Sequence, residues 1–301
     1  MIFPQSIRNL KRFFRASTHV LSMNQRNLEY IYPNNARHDF PIADNKLLTK
    51  QILSKAGVSV PETYTSYSSF FEMRDMEKDL KALGSFVVKP AQGSGGGGIL
   101  VVAGQCEQGW KSVSGKIYTL EDLKKHIADI IFGVYSFGLS DHAIIEAKIE
   151  QHQALNQLSP FGLTDVRMIL CQHKPVLSML RVPTEESDGK ANLHQGALGV
   201  GIDIQTGQAT YATHYGETIT AHPDTKVSLE AFSLPFWDEI VRMSIQVAES
   251  VPLKYLGVDL VISTDKPMVL EVNVRPGIEI QNANMMGMRK ILEAQKAEGS
   301  R

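Results

Sequence analysis

Leu256-Gly257-Val258-Asp259-Leu260-Val261-Ile262-Ser263, then Thr264-Asp265-Lys266-Pro267, then Met268-Val269-Leu270-Glu271-Val272-Asn273-Val274-Arg275-Pro276-Gly277, reads as two strands around a polar turn. Side chains alternate with period two along a strand. Leu270, Val272 and Val274 therefore share one side, and Glu271, Asn273 and Arg275 the other. On the first strand Val258, Leu260 and Ile262 are core candidates, which leaves Asp259 on the opposite face. Turn parity decides whether that aspartate meets the second strand's polar side chains. An odd-length turn pairs Asp259 with Glu271 or Asn273, whereas a two-residue turn puts them on opposite faces. We read the turn as odd. Asp259, Glu271 and Asn273 then form an oxygen set beside Arg275, suited to a hard cation carrying phosphate. By itself the spacing describes an ordinary polar hairpin face equally well.

Working outward, the next decisive stretch is Ser85-Phe86-Val87-Val88-Lys89-Pro90-Ala91-Gln92-Gly93-Ser94-Gly95-Gly96-Gly97-Gly98-Ile99-Leu100-Val101-Val102. Gly93, Gly95 and Gly98 match G-x-G-x-x-G, but a dinucleotide-binding motif must open a helix and these glycines run into a strand. What remains is a glycine loop joining two antiparallel strands, able to bring backbone N–H groups against phosphates. Lys89 ends the incoming strand.

The 301 residues are 43% apolar and 21% charged with a formal net charge of −1, the composition of a globular chain with no general pull toward nucleic acid. Two cysteines, Cys106 and Cys171, lack metal-type spacing and suit a reducing, cytoplasmic setting. No apolar run is long enough to span a bilayer, and no signal peptide is apparent. Residues 4–23 carry a basic amphipathic pattern that fits a terminal helix packed on its own domain, or docking to a membrane surface or a partner protein. Asp44 is the expected cap of a helix closed by Gly57. On that helix Lys46 and Lys50, one turn apart, read as a solvated face. A second helix is expected over 69–83, and a third from Thr119 to about Phe132. Ala143–Ile149 reads as a buried strand, 150–162 as a loop or insertion, and 164–171 with 174–182 as a hairpin. A further hairpin turns at 205–208, and Ser233-Leu234-Pro235 starts a helix reaching about Val251.

Taken together, these pieces resemble the ATP-grasp superfamily, and within it the α-L-glutamate ligase-like proteins related to the ribosomal-protein glutamate ligases. The resemblance runs from about Asp44 to Gly277. It rests on Asp-Asn-Lys at 44–46, Lys-Pro and the glycine loop at 89–98, Ile-Ile-Glu-Ala-Lys-Ile at 144–149, Asp-Val-Arg at 165–167, Lys-Ala-Asn-Leu-His-Gln-Gly at 190–196, and the opening stretch. It implies an α+β ATP-grasp fold of two subdomains clasping ATP, here divided as 1–43, 44–145 and 146–301. Lys46 and Lys89 are implied to contact ATP, and Gly93, Ser94, Gly95, Gly96, Gly97 and Gly98 to close over its phosphates. Glu146 with the backbone of Ala147, Lys148 and Ile149 would hold adenine, and Lys190 and Asn192 would reach the triphosphate or its metal. Asp259, Glu271 and Asn273 would bind Mg2+, with Mn2+ as a substitute. Arg167 and Arg275 would bind the carboxylate or acyl phosphate; His194 is as much a structural as a catalytic candidate.

The implied reaction is ATP-dependent joining of an amino-acid or peptide carboxylate to an amine. Two other readings compete with it: a phosphotransferase on the same fold, and a nucleotide-binding regulator docked at a membrane. The family's ligases carry a larger domain ahead of this core, where this chain has residues 1–43, and 150–164 has no counterpart in the pattern.

Overall fold

The computed structural model describes residues 19–93, 95–230 and 232–299. They divide into two units, one of residues 41–150 and one that joins the segment up to Phe40 to the chain from Gln151 onward. Residues 4–18 of the basic segment lie outside the described residues. The 19–40 stretch, set apart with it in the sequence reading, belongs instead to the second unit. Gln281 brackets Leu21 with bonds of 2.8 and 3.0 Å, Arg26 donates to the Pro276 carbonyl at 2.6 Å, and Asn35 donates to Tyr255 O at 2.6 Å. Among the described residues no helix is long and apolar enough to cross a membrane.

The 41–150 unit is a six-stranded antiparallel sheet. Its strands are β1 (Thr63–Tyr67), β2 (Phe86–Pro90), β3 (Leu100–Cys106), β4 (Gly109–Ser112), β5 (Ile117–Tyr118) and β6 (Ala143–Glu146), in the spatial order β1-β6-β2-β3-β4-β5. The helix Leu120–Ile131 starts at Thr119, whose side chain forms a capping box with Asp122. It buries Leu123, Ile127 and Ile130 against Phe86, Val88, Val102 and Ile145, roughly 1.5–3 kcal/mol for each large side chain. By alternation, Lys89 and Glu146 face away from that core. The helix Lys46–Lys55 is capped by Asn45, which accepts from Leu47 N and Leu48 N; Asp44, the expected cap, ends the short turn of helix before it. The 69–83 region is a 3-10 turn, Glu72–Asp75, continuing as the helix Met76–Lys81.

The second unit holds a seven-stranded antiparallel sheet of β7 (Asp165–Cys171), β8 (Lys174–Val182), β9 (Leu198–Ile202), β10 (Ala209–His214), β11 (Glu217–Ile219), β12 (Tyr255–Ile262) and β13 (Pro267–Asn273). Its order is β11-β10-β9-β8-β7-β12-β13. The helix Trp237–Ser250 lays Ile240, Met243 and Val247 on β7, β8 and β12. The expected insertion contains the helix Gln153–Leu158.

Register is the main correction to the sequence reading. Ser263 N donates to Lys266 O at 2.9 Å, so only Thr264 and Asp265 form the turn, and its length is even rather than odd. With that turn alone, Asp259 would stand opposite Leu270. A one-residue bulge at Leu270 shifts the ladder, and Asp259 pairs with Glu271 after all. The same bulge leaves Leu270, an expected core residue, only half-buried while Val269 and Val272 are buried. The β7–β8 hairpin repeats the device. Its two-residue turn, Gln172-His173, has both φ positive, and a bulge at Val176 brings Asp165 opposite Arg181.

Candidate functional site

Across β7, β12 and β13 one row of paired residues reads Arg167, Asp259, Glu271. Asn273 follows on the same face opposite Gly257. A Cβ at Gly257 would come within 2.7 Å of the Pro276 side chain, so the glycine keeps this corner compact. Asp259, 1% exposed, is gripped on both oxygens. Arg167 donates through Nε to Oδ1 at 2.7 Å and through Nη2 to Oδ2 at 2.5 Å, and Arg181 Nη2 reaches Oδ2 at 2.8 Å. Arg181 also holds Asp165 with a bidentate pair at 2.5 and 2.6 Å. Asn273 Nδ2 donates to Asp259 at 3.2 Å and to Glu271 at 3.3 Å, which orients the amide toward both carboxylates. The face thus carries Asp165, Asp259 and Glu271 against Arg167 and Arg181, a surplus of one negative charge.

The electrostatics split the two buried aspartates. Burial would raise Asp259, but Arg167 and Arg181 more than offset it and hold its carboxyl well below the ordinary range. Asp165 is bonded by Arg181 and feels Arg167 more weakly; burial outweighs both and, with Asp259 adding to it, pushes Asp165 up to about 6. Its folded pKa therefore lies above the unfolded value, near ~3.9. Its contribution to stability is fully present below that unfolded value and is lost as pH rises through about 6. Asp165→Asn is expected to flatten the stability profile over that window. Urea unfolding of both proteins at several pH values checks this, and parallel profiles would contradict it.

The residues of this face fit a divalent cation by the chemistry of their side chains, since Asp259 and Glu271 carry carboxylate oxygens and Asn273, whose Nδ2 donates to both, carries an amide oxygen that a turn of the side chain would offer. Both Asp259 oxygens accept from guanidiniums, and Glu271 accepts from Asn273 Nδ2. Among the described residues no three His, Cys, Asp or Glu side chains form a metal cluster, so such an ion would depend on the amide and on substrate oxygens as well. The sequence reading did not single out Arg181, because its place opposite Asp165 depends on the bulge. Arg275 lies beyond the end of β13. It is exposed, with its guanidinium 5.3 Å from the Phe40 ring. Lys190 stands 3.9 Å from Asp188 on an exposed turn, and Asn192 caps the short 3-10 turn Leu193–Gln195 that includes the exposed His194.

The 41–150 unit carries the second cluster. Glu146, 3% exposed, pairs through Oε1 with Lys89 at 2.5 Å and through Oε2 with Lys50. Lys50 is therefore no solvated residue. It is 6% exposed and also donates to Pro61 O at 3.0 Å and Thr63 Oγ1 at 3.1 Å. Burial lowers Lys50 from its ordinary pKa against the pull of Glu146. Burial would likewise raise Glu146, but Lys89 and Lys50 hold it low. The Glu146 carboxylate is thus committed to two ammonium groups. β6 ends there, three residues short of the expected Ile149, and Ala147 N donates to Glu62 O at 2.9 Å. Lys148 pairs with Glu150. Lys46 Nζ reaches Gly93 O at 2.7 Å, tying this lysine to the glycine loop. The described loop glycines Gly95, Gly96 and Gly98 all have positive φ; Ser94 lies outside the described residues.

A family model described as sugar-transfer associated ATP-grasp matches residues 25–297. The chain belongs to that ATP-grasp family. It is 24% identical over 251 residues to a probable alpha-L-glutamate ligase of Klebsiella pneumoniae (strain 342), an alignment covering 82% of this chain and 61% of the relative. A probable alpha-L-glutamate ligase of Cellvibrio japonicus (strain Ueda107) is 23% identical over 260 residues, covering 85% and 64%. The chain thus spans less than two thirds of the length of these relatives. In three dimensions it is similar to a Rhizobium etli pyruvate carboxylase structure with the allosteric activator acetyl coenzyme A. The TM-score is 0.51 at 15% identity, over 87% of this chain and 18% of that one. The α+β ATP-grasp fold expected from the sequence is therefore the fold observed, and the distant likeness to α-L-glutamate ligases stands. ATP-grasp ligases in general use ATP with Mg2+ and bind carboxylate and amine substrates.

Proposed function

We propose that this ATP-grasp protein joins a carboxylate to an amine through an acyl phosphate. A carboxylate oxygen attacks the γ-phosphorus of ATP and ADP leaves. The amine nitrogen then attacks the acyl carbon, phosphate leaves, the amine loses a proton, and an amide remains. The observation that carries the reading is the row Arg167–Asp259–Glu271 with Asn273 and Arg181, where oxygen donors for a cation and two anchored guanidiniums share one sheet face. Both aspartates hold the guanidiniums in fixed orientations, so charge developing on a transferred phosphoryl group meets donors that need no reorganisation. Magnesium, when bound, would supply further neutralisation of phosphate charge.

Lys46, Lys89 and the glycine loop are assigned to the nucleotide phosphates, and the backbone of 147–149 to adenine. Arg275 is assigned to the carboxylate substrate, since a planar fork held against Phe40 suits a two-oxygen anion. The glutamate ligases named above support an amino acid as one substrate.

The test follows ADP and hydroxamate together, with hydroxylamine standing in for the amine and single amino acids as carboxylates. Carboxylate-dependent ADP release with matching hydroxamate is expected. ADP formed with a hydroxyl acceptor, and no hydroxamate from any carboxylate, would make the protein a phosphotransferase. Arg275→Lys is expected to lower carboxylate-dependent ADP release by about ten- to a hundredfold, the loss of one charge-assisted pair worth ~1.5–3 kcal/mol, with ATP affinity little changed. Equal loss of ATP affinity would move Arg275 out of the carboxylate role.

A further inference from the structure

The glycine-rich loop is held at both stems by residues that no motif marks. At the entry stem, Gln92 N donates to both oxygens of Asp141, at 3.1 and 3.0 Å. Asp141 is 2% exposed and accepts two further bonds, from His142 N at 2.7 Å and from Ser136 Oγ. Ala91 N donates to His142 O at 2.9 Å, and Gln92 Nε2 to Ser140 O at 3.4 Å. At the exit stem, His126 Nε2 stands 3.0 Å from Gly98 O. Burial lowers the pKa of His126, which keeps the ring neutral near pH 7, so the carbonyl contact selects the tautomer with its proton on Nε2. Gly98 has φ +75° and lies directly on Tyr135, where an added Cβ would fall 2.7 Å from the ring. Tyr135 in turn packs against His126 with ring centroids 5.8 Å apart. Asp141, Ser136 and Tyr135 all come from the connection between the helix Leu120–Ile131 and β6.

We infer that Asp141 and His126 are positioning residues that clamp the two stems of the glycine loop. The loop's glycines would otherwise carry a large conformational entropy into every binding event. Holding the stems removes part of that cost before a ligand arrives. The clamp is a property of the free protein. Its use in binding triphosphate rests on the ATP-grasp reading above.

The experiment measures amide exchange of the full chain without ligand, then affinity for an ATP analogue with a β,γ-imido bridge in Mg2+. Asp141→Asn keeps the shape but exchanges one acceptor oxygen for an amide NH2 that faces backbone donors. We expect exchange at Gln92, Gly93 and 95–98 to rise roughly tenfold or more, with β2 unchanged, and analogue affinity to fall roughly tenfold. If Asp141→Asn fails to fold, the half-buried exit stem decides the question: His126→Leu should loosen the loop, and His126→Gln, whose amide can still donate to Gly98 O, should restore it. Unchanged loop exchange in the folded variants overturns the inference. So does a rise spread equally over β2, which would mark a merely structural role. Failure of the wild-type protein to bind the analogue would instead sink the nucleotide assignment, and the exchange data would still decide the clamp.

Discussion

Glu271→Gln is expected to lower ATP turnover by more than about a hundredfold while leaving the protein folded. Glu271 stands opposite Asp259 on the strand that ends at Asn273, and it accepts from Asn273 Nδ2. Asp259 is committed to Arg167 and Arg181. Replacing Glu271 by glutamine halves the negative charge of the proposed cation ligands and substitutes an NH2 group that repels a cation. Glutamine keeps an oxygen able to accept from Asn273 Nδ2, so that bond survives. Steady-state ADP release at saturating ATP, read beside thermal unfolding, is the measurement. Wild-type turnover in a folded Glu271→Gln protein would remove Glu271 from the site.

The second large effect is on stability. Arg181→Met should cost about 3–5 kcal/mol, the usual penalty for removing one partner of a buried ion pair. Arg181 bridges two aspartates, with 9% of the Asp165 side chain and 1% of the Asp259 side chain exposed, and both pull its pKa above the ordinary arginine range against the effect of burial. Without it Asp165 would lose its own ion-pair partner and face Asp259 with only Arg167, which is bound to Asp259, left as a cation on this face. Asp165, already shifted to about 6, would then take up a proton at neutral pH, which places the cost toward the lower end. Adding Asp165→Asn to Arg181→Met should recover part of the loss, and a double-mutant cycle in urea gives the coupling. A loss under about 1 kcal/mol in the single variant would mean that water reaches this face freely enough to replace the guanidinium.

Much of this protein is legible in the chain itself. The alternation of apolar and polar residues in 256–277 specifies two strands with a polar face, and glycines running straight into Ile99-Leu100 exclude the helix that a dinucleotide motif requires. Thr119 and Asp122 announce their helix by local hydrogen bonding, which is why that boundary lies within a residue of its expected place. Lys50 shows where local reasoning stops. Spacing puts it on the same helical face as Lys46, but only the arrival of β6 with Glu146 turns a solvated lysine into a buried partner. Arg181 and Asp165 make the same point across a hairpin.

What the sequence by itself determined is therefore the residue inventory and its period: which side chains alternate, where helices are capped, and which residues could serve an ATP-grasp site. Tertiary structure alone decided which of them meet. Both hairpins close with two-residue turns that would send the key acids to the wrong positions, and in each a single bulged residue, Val176 or Leu270, restores the pairing. A bulge adds one residue to one strand and so inverts the parity of everything beyond it. The choice to bulge is set by how neighbouring strands and the overlying helix pack, information that no window of sequence contains.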